Sequence, residues 1–98
     1  MTEPDDWPIV SLPIEEFLDL HAFSPKEVSS LIEEYLFQCQ AKGYSEVRLI
    51  HGKGTGTLRR KVRAQLARDP RVLTYGDAPT EAGGWGATLV HLKSKFSK

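Results

Sequence analysis

Between residues 28 and 39 the apolar side chains Val28, Leu31, Ile32, Tyr35, Leu36 and Cys39 recur three and four apart, the spacing of one helical face. Ser24-Pro25-Lys26-Glu27 precedes them. This reads as a helix start, with Ser at the N-cap, Pro in the first turn and Glu three after the cap. Gly43 predicts the stop. Leu58, Val62 and Leu66 repeat the helical spacing over Thr57 to Arg68, and Asp69-Pro70 breaks it. Shorter apolar runs predict strands at Glu16–His21, Val47–His51, Arg71–Tyr75 and Ala87–Leu92. In the first, Leu18 and Leu20 face one way and Phe17, Asp19 and His21 the other.

The order is β-α-β-α-β-β. Right-handed crossovers stepping in one direction put both helices on one face. The expected fold is therefore an α/β two-layer sandwich: a mixed four-stranded sheet, its first three strands parallel and its fourth antiparallel, under two helices. The domain is expected over residues 14–92. An acidic, Pro-containing arm at 1–13, with Pro4, Pro8 and Pro13, precedes it, and a basic tail at 93–98 follows.

Composition changes this picture in two places. The 98 residues carry no net charge, yet residues 1–46 hold ten acidic and two basic side chains, while 47–98 hold eleven basic and three acidic. The split suggests a face for polyanions; mutual neutralisation across ordinary solvated surfaces reads the same numbers. The lone Cys39 excludes an internal disulfide and a Cys-based metal site. No apolar run reaches membrane-span length and the start is unlike a secretory signal, so a cytoplasmic, non-membrane and monomeric protein is expected.

The chemistry concentrates at His51-Gly52-Lys53-Gly54-Thr55-Gly56-Thr57-Leu58-Arg59, between a strand and a helix. Alternate glycines let backbone approach a ligand, and the N–H groups and dipole of the following helix favour an anion such as phosphate. Lys53, Arg59 and, one turn on, Arg63 add charge, whereas Arg60 and Lys61 fit a solvated helix face. The stretch matches neither the Walker pattern nor G-x-G-x-x-G. A glycine-rich turn with no ligand is the plainer reading.

Asp19 and His21, two apart, form a carboxylate–imidazole pair in which Asp orients the ring and stabilises its charged form. A simple strand-end hydrogen bond is the alternative. His51 offers a second imidazole, so that the two could act as base and acid on a phosphodiester. Gly83-Gly84-Trp85-Gly86 belongs at the same carboxyl edge of the sheet, where ligands of open α/β sheets collect. There Trp85 stacks on a base or caps the core. His91, inside the last strand, reads as structural or surface.

Leu18-Asp19-Leu20-His21, Ile50-His51-Gly52-Lys53-Gly54-Thr55-Gly56 with Leu58-Arg59, and Gly83-Gly84-Trp85-Gly86-Ala87-Thr88 together resemble the three signatures of the small MutS-related (Smr) domain family. Ala22 stands where that family most often has Gly. The resemblance implies a sandwich like the C-terminal domain of a bacterial translation initiation factor. It also implies nucleic-acid binding and endonuclease cleavage of RNA or DNA, in some members on messenger RNA at stalled or collided ribosomes. On this reading Asp19, His21 and His51 are catalytic. Gly52, Lys53, Gly54, Thr55, Gly56, Arg59, Arg63, Gly84, Trp85 and Gly86 bind phosphate or nucleic acid, and no residue is a dedicated metal ligand. RNA cleavage needs no cofactor because the 2′-hydroxyl attacks; DNA nicking needs water and would draw on Mg²⁺. Two other classes stay open: a non-catalytic nucleic-acid or ribosome-binding module, and an enzyme acting on a small phosphorylated metabolite.

Overall fold

The last strand of the chain is a central strand of the sheet. In the computed structural model, which describes residues 16–94, the elements run β1 (Phe17–Asp19), α1 (Pro25–Ala41), β2 (Glu46–Ile50), α2 (Thr57–Arg68), β3 (Val72–Asp77) and β4 (Ala87–Leu92). Short 3-10 turns occupy Leu20–Ala22, Thr80–Ala82 and Gly84–Gly86. The sheet order is β1-β2-β4-β3, with β1 parallel to β2 and β4 antiparallel to both β2 and β3. The expected α/β sandwich is therefore present, with β1, β2 and β3 running one way. The arm at 1–13 and most of the tail at 93–98 lie outside the described residues.

Alternation along the strands sets the core. Val47 and Leu49 of β2 pair with Val90 and Thr88 of β4, and all four are buried. Val28, Ile32, Leu36 and Cys39 of α1 and Val62 and Leu66 of α2 close over that row. Removing a side chain such as Leu36 down to Ala would cost about 2–5 kcal/mol. The helices are also tied polar to polar: Lys61 Nζ donates to the Pro25 carbonyl at 3.1 Å and Gln65 Nε2 to the Ser29 carbonyl at 2.8 Å.

Three local expectations change. Helix α1 starts at Pro25 as expected, but the Ser24 side chain makes no cap bond; its carbonyl accepts from the Glu27 N–H at 2.9 Å instead. Strand β1 stops at Asp19, because the chain turns into the 3-10 segment that buries Leu20. Strand β3 runs on through Gly76 to Asp77, because its ladder with β4 continues to the Asp77–Thr88 pair. The C-terminus of α1 is closed as the sequence suggests: Tyr44 N–H donates to the Cys39 carbonyl and Gly43 N–H to the Gln40 carbonyl, both at 3.0 Å. His91 lies on the far face of the sheet, with Nε2 3.3 Å from Glu46 Oε1 and Nδ1 3.3 Å from Thr74 Oγ1. Among the described residues no helix is long and apolar enough to cross a membrane.

Candidate active site

Where β1 ends, Asp19 caps the short turn that follows. Its Oδ1 accepts from the His21 backbone N–H and faces His21 Nδ1, each at 2.9 Å. Asp19 and His21 were expected to meet as neighbours on one strand face; the 3-10 turn brings them together instead. The His21 backbone N–H, ahead of the ring's own contribution, holds the Asp19 carboxyl below its usual range. A carboxylate accepts only, so Nδ1 carries the proton and donates it. Nε2 is left as the ring's basic nitrogen.

That nitrogen is aimed at the glycine loop. Gly52 has φ +78°, and a Cβ built there would collide with His21 Nε2. Glycine is required twice over, by the left-handed backbone and by the imidazole above it. The loop is fixed from behind by Gly86, whose carbonyl accepts from His51 N–H at 3.1 Å and Gly52 N–H at 2.8 Å. Gly56 then caps α2 with φ +84° and no side-chain cap bond. Its carbonyl accepts from Arg60 N–H at 3.0 Å, and Thr57 N–H reaches only the Thr55 hydroxyl at 3.4 Å. The first turn of α2, whose N–H groups have no preceding helical turn to bond, begins close in sequence to exposed Lys53, an arrangement suited to an anion. A pocket of about 390 Å³ runs alongside, between this loop and the start of α1, walled by Phe23, Val28 and Leu58.

His51, expected as an acid or base, is held inside the fold in this structure. It is 4% exposed, and both ring nitrogens are taken. Nδ1 is 2.9 Å from the Gly52 carbonyl, which can only accept, so Nδ1 holds the proton. Nε2 therefore accepts from Thr88 Oγ1 at 2.8 Å. Burial pushes the His51 pKa down, which favours the neutral ring. The imidazole is a strut between the loop and β4.

Arg59 and Arg63 stand on α2 at the edge of the site. Their Nη2 atoms donate to the same Asp77 Oδ1, at 2.8 and 2.6 Å. Arg59 lies 4.9 Å from the Trp85 ring centroid and Arg63 5.7 Å from that of Tyr75. Trp85, on the Gly84–Gly86 turn, is 41% exposed, so it does not close the core. The Arg59 hydrogen bond, with Arg63 beside it, draws the Asp77 carboxyl below its usual range. The sequence patterns give no role to Asp77, and Thr88 enters only as the last residue of the third signature. Thr88 carries one visible signal: a lone polar residue on the apolar row Thr88, Val90, Leu92.

A family model described as the Smr domain matches residues 18–93. The endonuclease MutS2 of Thermus thermophilus is 40% identical over 88 residues, covering 88% of this chain and 12% of that protein. The endonuclease MutS2 of Levilactobacillus brevis is 41% identical over 76 residues, covering 78% and 10%. The chain spans about a tenth of the length of these relatives. Among solved structures, the Smr domain of Thermus thermophilus MutS2 superposes with a TM-score of 0.74 at 42% identity, covering 79% of this chain and 96% of that one. YdaL, a stand-alone small MutS-related protein from Escherichia coli, gives a TM-score of 0.77 at 28% identity, covering 84% and 67%.

Proposed function

The chain belongs to the Smr domain family, and on that premise we propose that it is an endonuclease that cleaves RNA in preference to DNA. The MutS2 relatives are named as endonucleases. The observation that carries the reading is the Asp19–His21 pair, with Nδ1 held by the carboxylate and Nε2 directed at an anion-binding loop.

In this mechanism a phosphodiester sits on the loop N–H groups beside Lys53. His21 Nε2 removes the proton of the adjacent 2′-hydroxyl. The O2′–P bond forms, the P–O5′ bond breaks, and the departing 5′-oxygen takes a proton from solvent. The products are a 2′,3′-cyclic phosphate and a 5′-hydroxyl. Asp19 offsets the charge that His21 gains, as a carboxylate does for a catalytic imidazole. Lys53 and the backbone donors offset charge growing on the phosphorane oxygens. His51 takes no part in proton transfer; with Thr88 it fixes the loop.

The preference for RNA follows from having one available imidazole. An internal 2′-hydroxyl is already in place and needs only a base. A DNA strand lacks it and requires an activated water, for which Mg²⁺ would be the natural aid and Asp19 the carboxylate on hand.

The test is a labelled single-stranded RNA, its DNA counterpart, and the RNA with one 2′-deoxy position, each incubated in EDTA and in Mg²⁺. The expected result is RNA cleavage in EDTA, cyclic-phosphate ends, and protection at the deoxy position. Tight RNA binding without cleavage would put a binding module in place of the nuclease.

A further inference from the structure

We propose that Trp85, Arg59, Asp77, Arg63 and Tyr75 form one continuous ladder that carries several nucleotides of a single strand away from the cleavage site. This rests on the nuclease reading and extends it, because Tyr75 and Asp77 belong to none of the three family signatures quoted above.

The ladder alternates ring and cation. Trp85 stacks near Arg59, Arg59 and Arg63 share Asp77 Oδ1, and Arg63 reaches over Tyr75. Its geometry is set by two regular elements. Arg59 and Arg63 are one helical turn apart, about 6 Å along α2. Asp77 and Tyr75 are two apart on β3, about 6.7 Å along the strand and on the same face. That face is the helix side, since Asp77 pairs with Thr88 and Tyr75 with Val90, both inward residues. As β3 is the sheet edge, the helices do not cover Tyr75; it stays 37% exposed.

Each part suits an unpaired strand. Exposed rings give successive bases a surface to stack on without sequence preference. Each guanidinium has five N–H donors and, among the described residues, donates to Asp77 alone. The Nε–H of each is buried, out of reach of a passing strand, which leaves the Nη–H groups. The remaining donors serve phosphates that pass between the rings. Asp77 holds both forks in place before the strand arrives, which reduces the ordering cost on binding. A duplex keeps its bases inside the stack and gains nothing from the rings.

The experiment measures binding of the whole chain to single-stranded oligonucleotides, RNA and DNA, of three and of twelve nucleotides, and to a twelve-base-pair duplex. The wild type should bind the twelve-mer more tightly than the trimer and the duplex at equal salt. Tyr75→Thr, which suits an edge strand, should weaken twelve-mer binding roughly 5- to 150-fold, the range for losing one base stack. It should leave trimer affinity and the trimer cleavage rate unchanged. Tyr75→Phe, which keeps the ring, should bind the twelve-mer like wild type. Wild-type affinity that does not grow with length overturns the ladder but leaves the nuclease site standing. So does a Tyr75→Thr loss equal for trimer and twelve-mer, or tighter binding of the duplex. Absence of binding to any single strand defeats both readings.

Discussion

His51 Nε2 accepts a hydrogen bond from Thr88 Oγ1 at 2.8 Å, across 37 residues of chain and inside the core. Thr88 is fully buried, and its hydroxyl is the one polar group on that row of β4 to receive the imidazole. The pair joins the base of the glycine loop to the central strand, and its loss should be felt first as stability. Thr88→Val keeps the shape but strands a buried acceptor. The expected cost is about 1–3 kcal/mol, read as a drop of about 4–8 °C in Tm for each kcal/mol in a domain of this size.

The same pair fixes a pH dependence. Burial lowers the His51 pKa below its ordinary 6.5. At pH values below 6.5 the unfolded chain therefore binds a proton that the folded one refuses. The stability His51 contributes is present above about 6.5 and is lost as pH falls toward the lowered folded value. Denaturant midpoints measured at pH 7.5 and pH 5.5 should fall for the wild type and fall less for His51→Gln. Equal decreases would mean that other groups set the acid sensitivity.

His21→Ala should slow RNA cleavage about 10²–10⁴-fold by removing proton transfer, with RNA affinity near wild type. Asp19→Asn keeps an oxygen for the His21 N–H but loses the charge, so it should also be slow. The double variant should be little worse than the slower single, because the two act as a unit. Additive losses in single-turnover rates would separate them.

Gly52→Ala tests the same geometry from the other side. The new Cβ meets His21 Nε2, and the left-handed backbone at φ +78° costs about 1–2 kcal/mol for a residue with a side chain. Cleavage should approach that of His21→Ala while Lys53 still holds RNA. Wild-type cleavage rates in a folded Gly52→Ala protein are incompatible with the proposed position of the base.

Lys53→Ala should lower RNA affinity and flatten its salt dependence by about 0.7 in the log–log slope, the single-strand value for one phosphate contact. Arg59→Ala should flatten the slope less, because half of its charge balance is already met by Asp77. Its larger effect should be on affinity at high salt, through the lost support of Trp85. Slopes measured between 50 and about 300 mM salt distinguish the two.

The fold was legible in the sequence because its signals are local. The stripe from Val28 to Cys39 and the Asp69-Pro70 break mark their elements within a few residues of chain. Asp19, His21 and the glycine loop were equally legible, since each is a short run of chemistry at a predicted strand end. What escaped reading depends on strand insertion. Thr88 meets His51 only because β4 enters between β2 and β3. Asp77 meets Arg59 and Arg63 only because β3 extends past Gly76 and turns Tyr75 and Asp77 toward α2. Of the two groups that hold the His51 ring, Gly52 is next in sequence and only Thr88 comes from β4, so half of its surroundings were out of reach of local pattern.

Placing β4 in the middle of the sheet also orders events on the ribosome that makes this chain. A nascent chain released as far as Arg68 already holds Asp19, His21, the glycine loop and α2. It lacks Gly86, whose carbonyl fixes the loop, and Thr88, whose hydroxyl anchors His51. Strands β2 and β3 have no partner in common until Leu92 emerges. An unfinished chain would therefore carry the proposed catalytic side chains without the backing that aligns them, and the proposed activity would wait for β4.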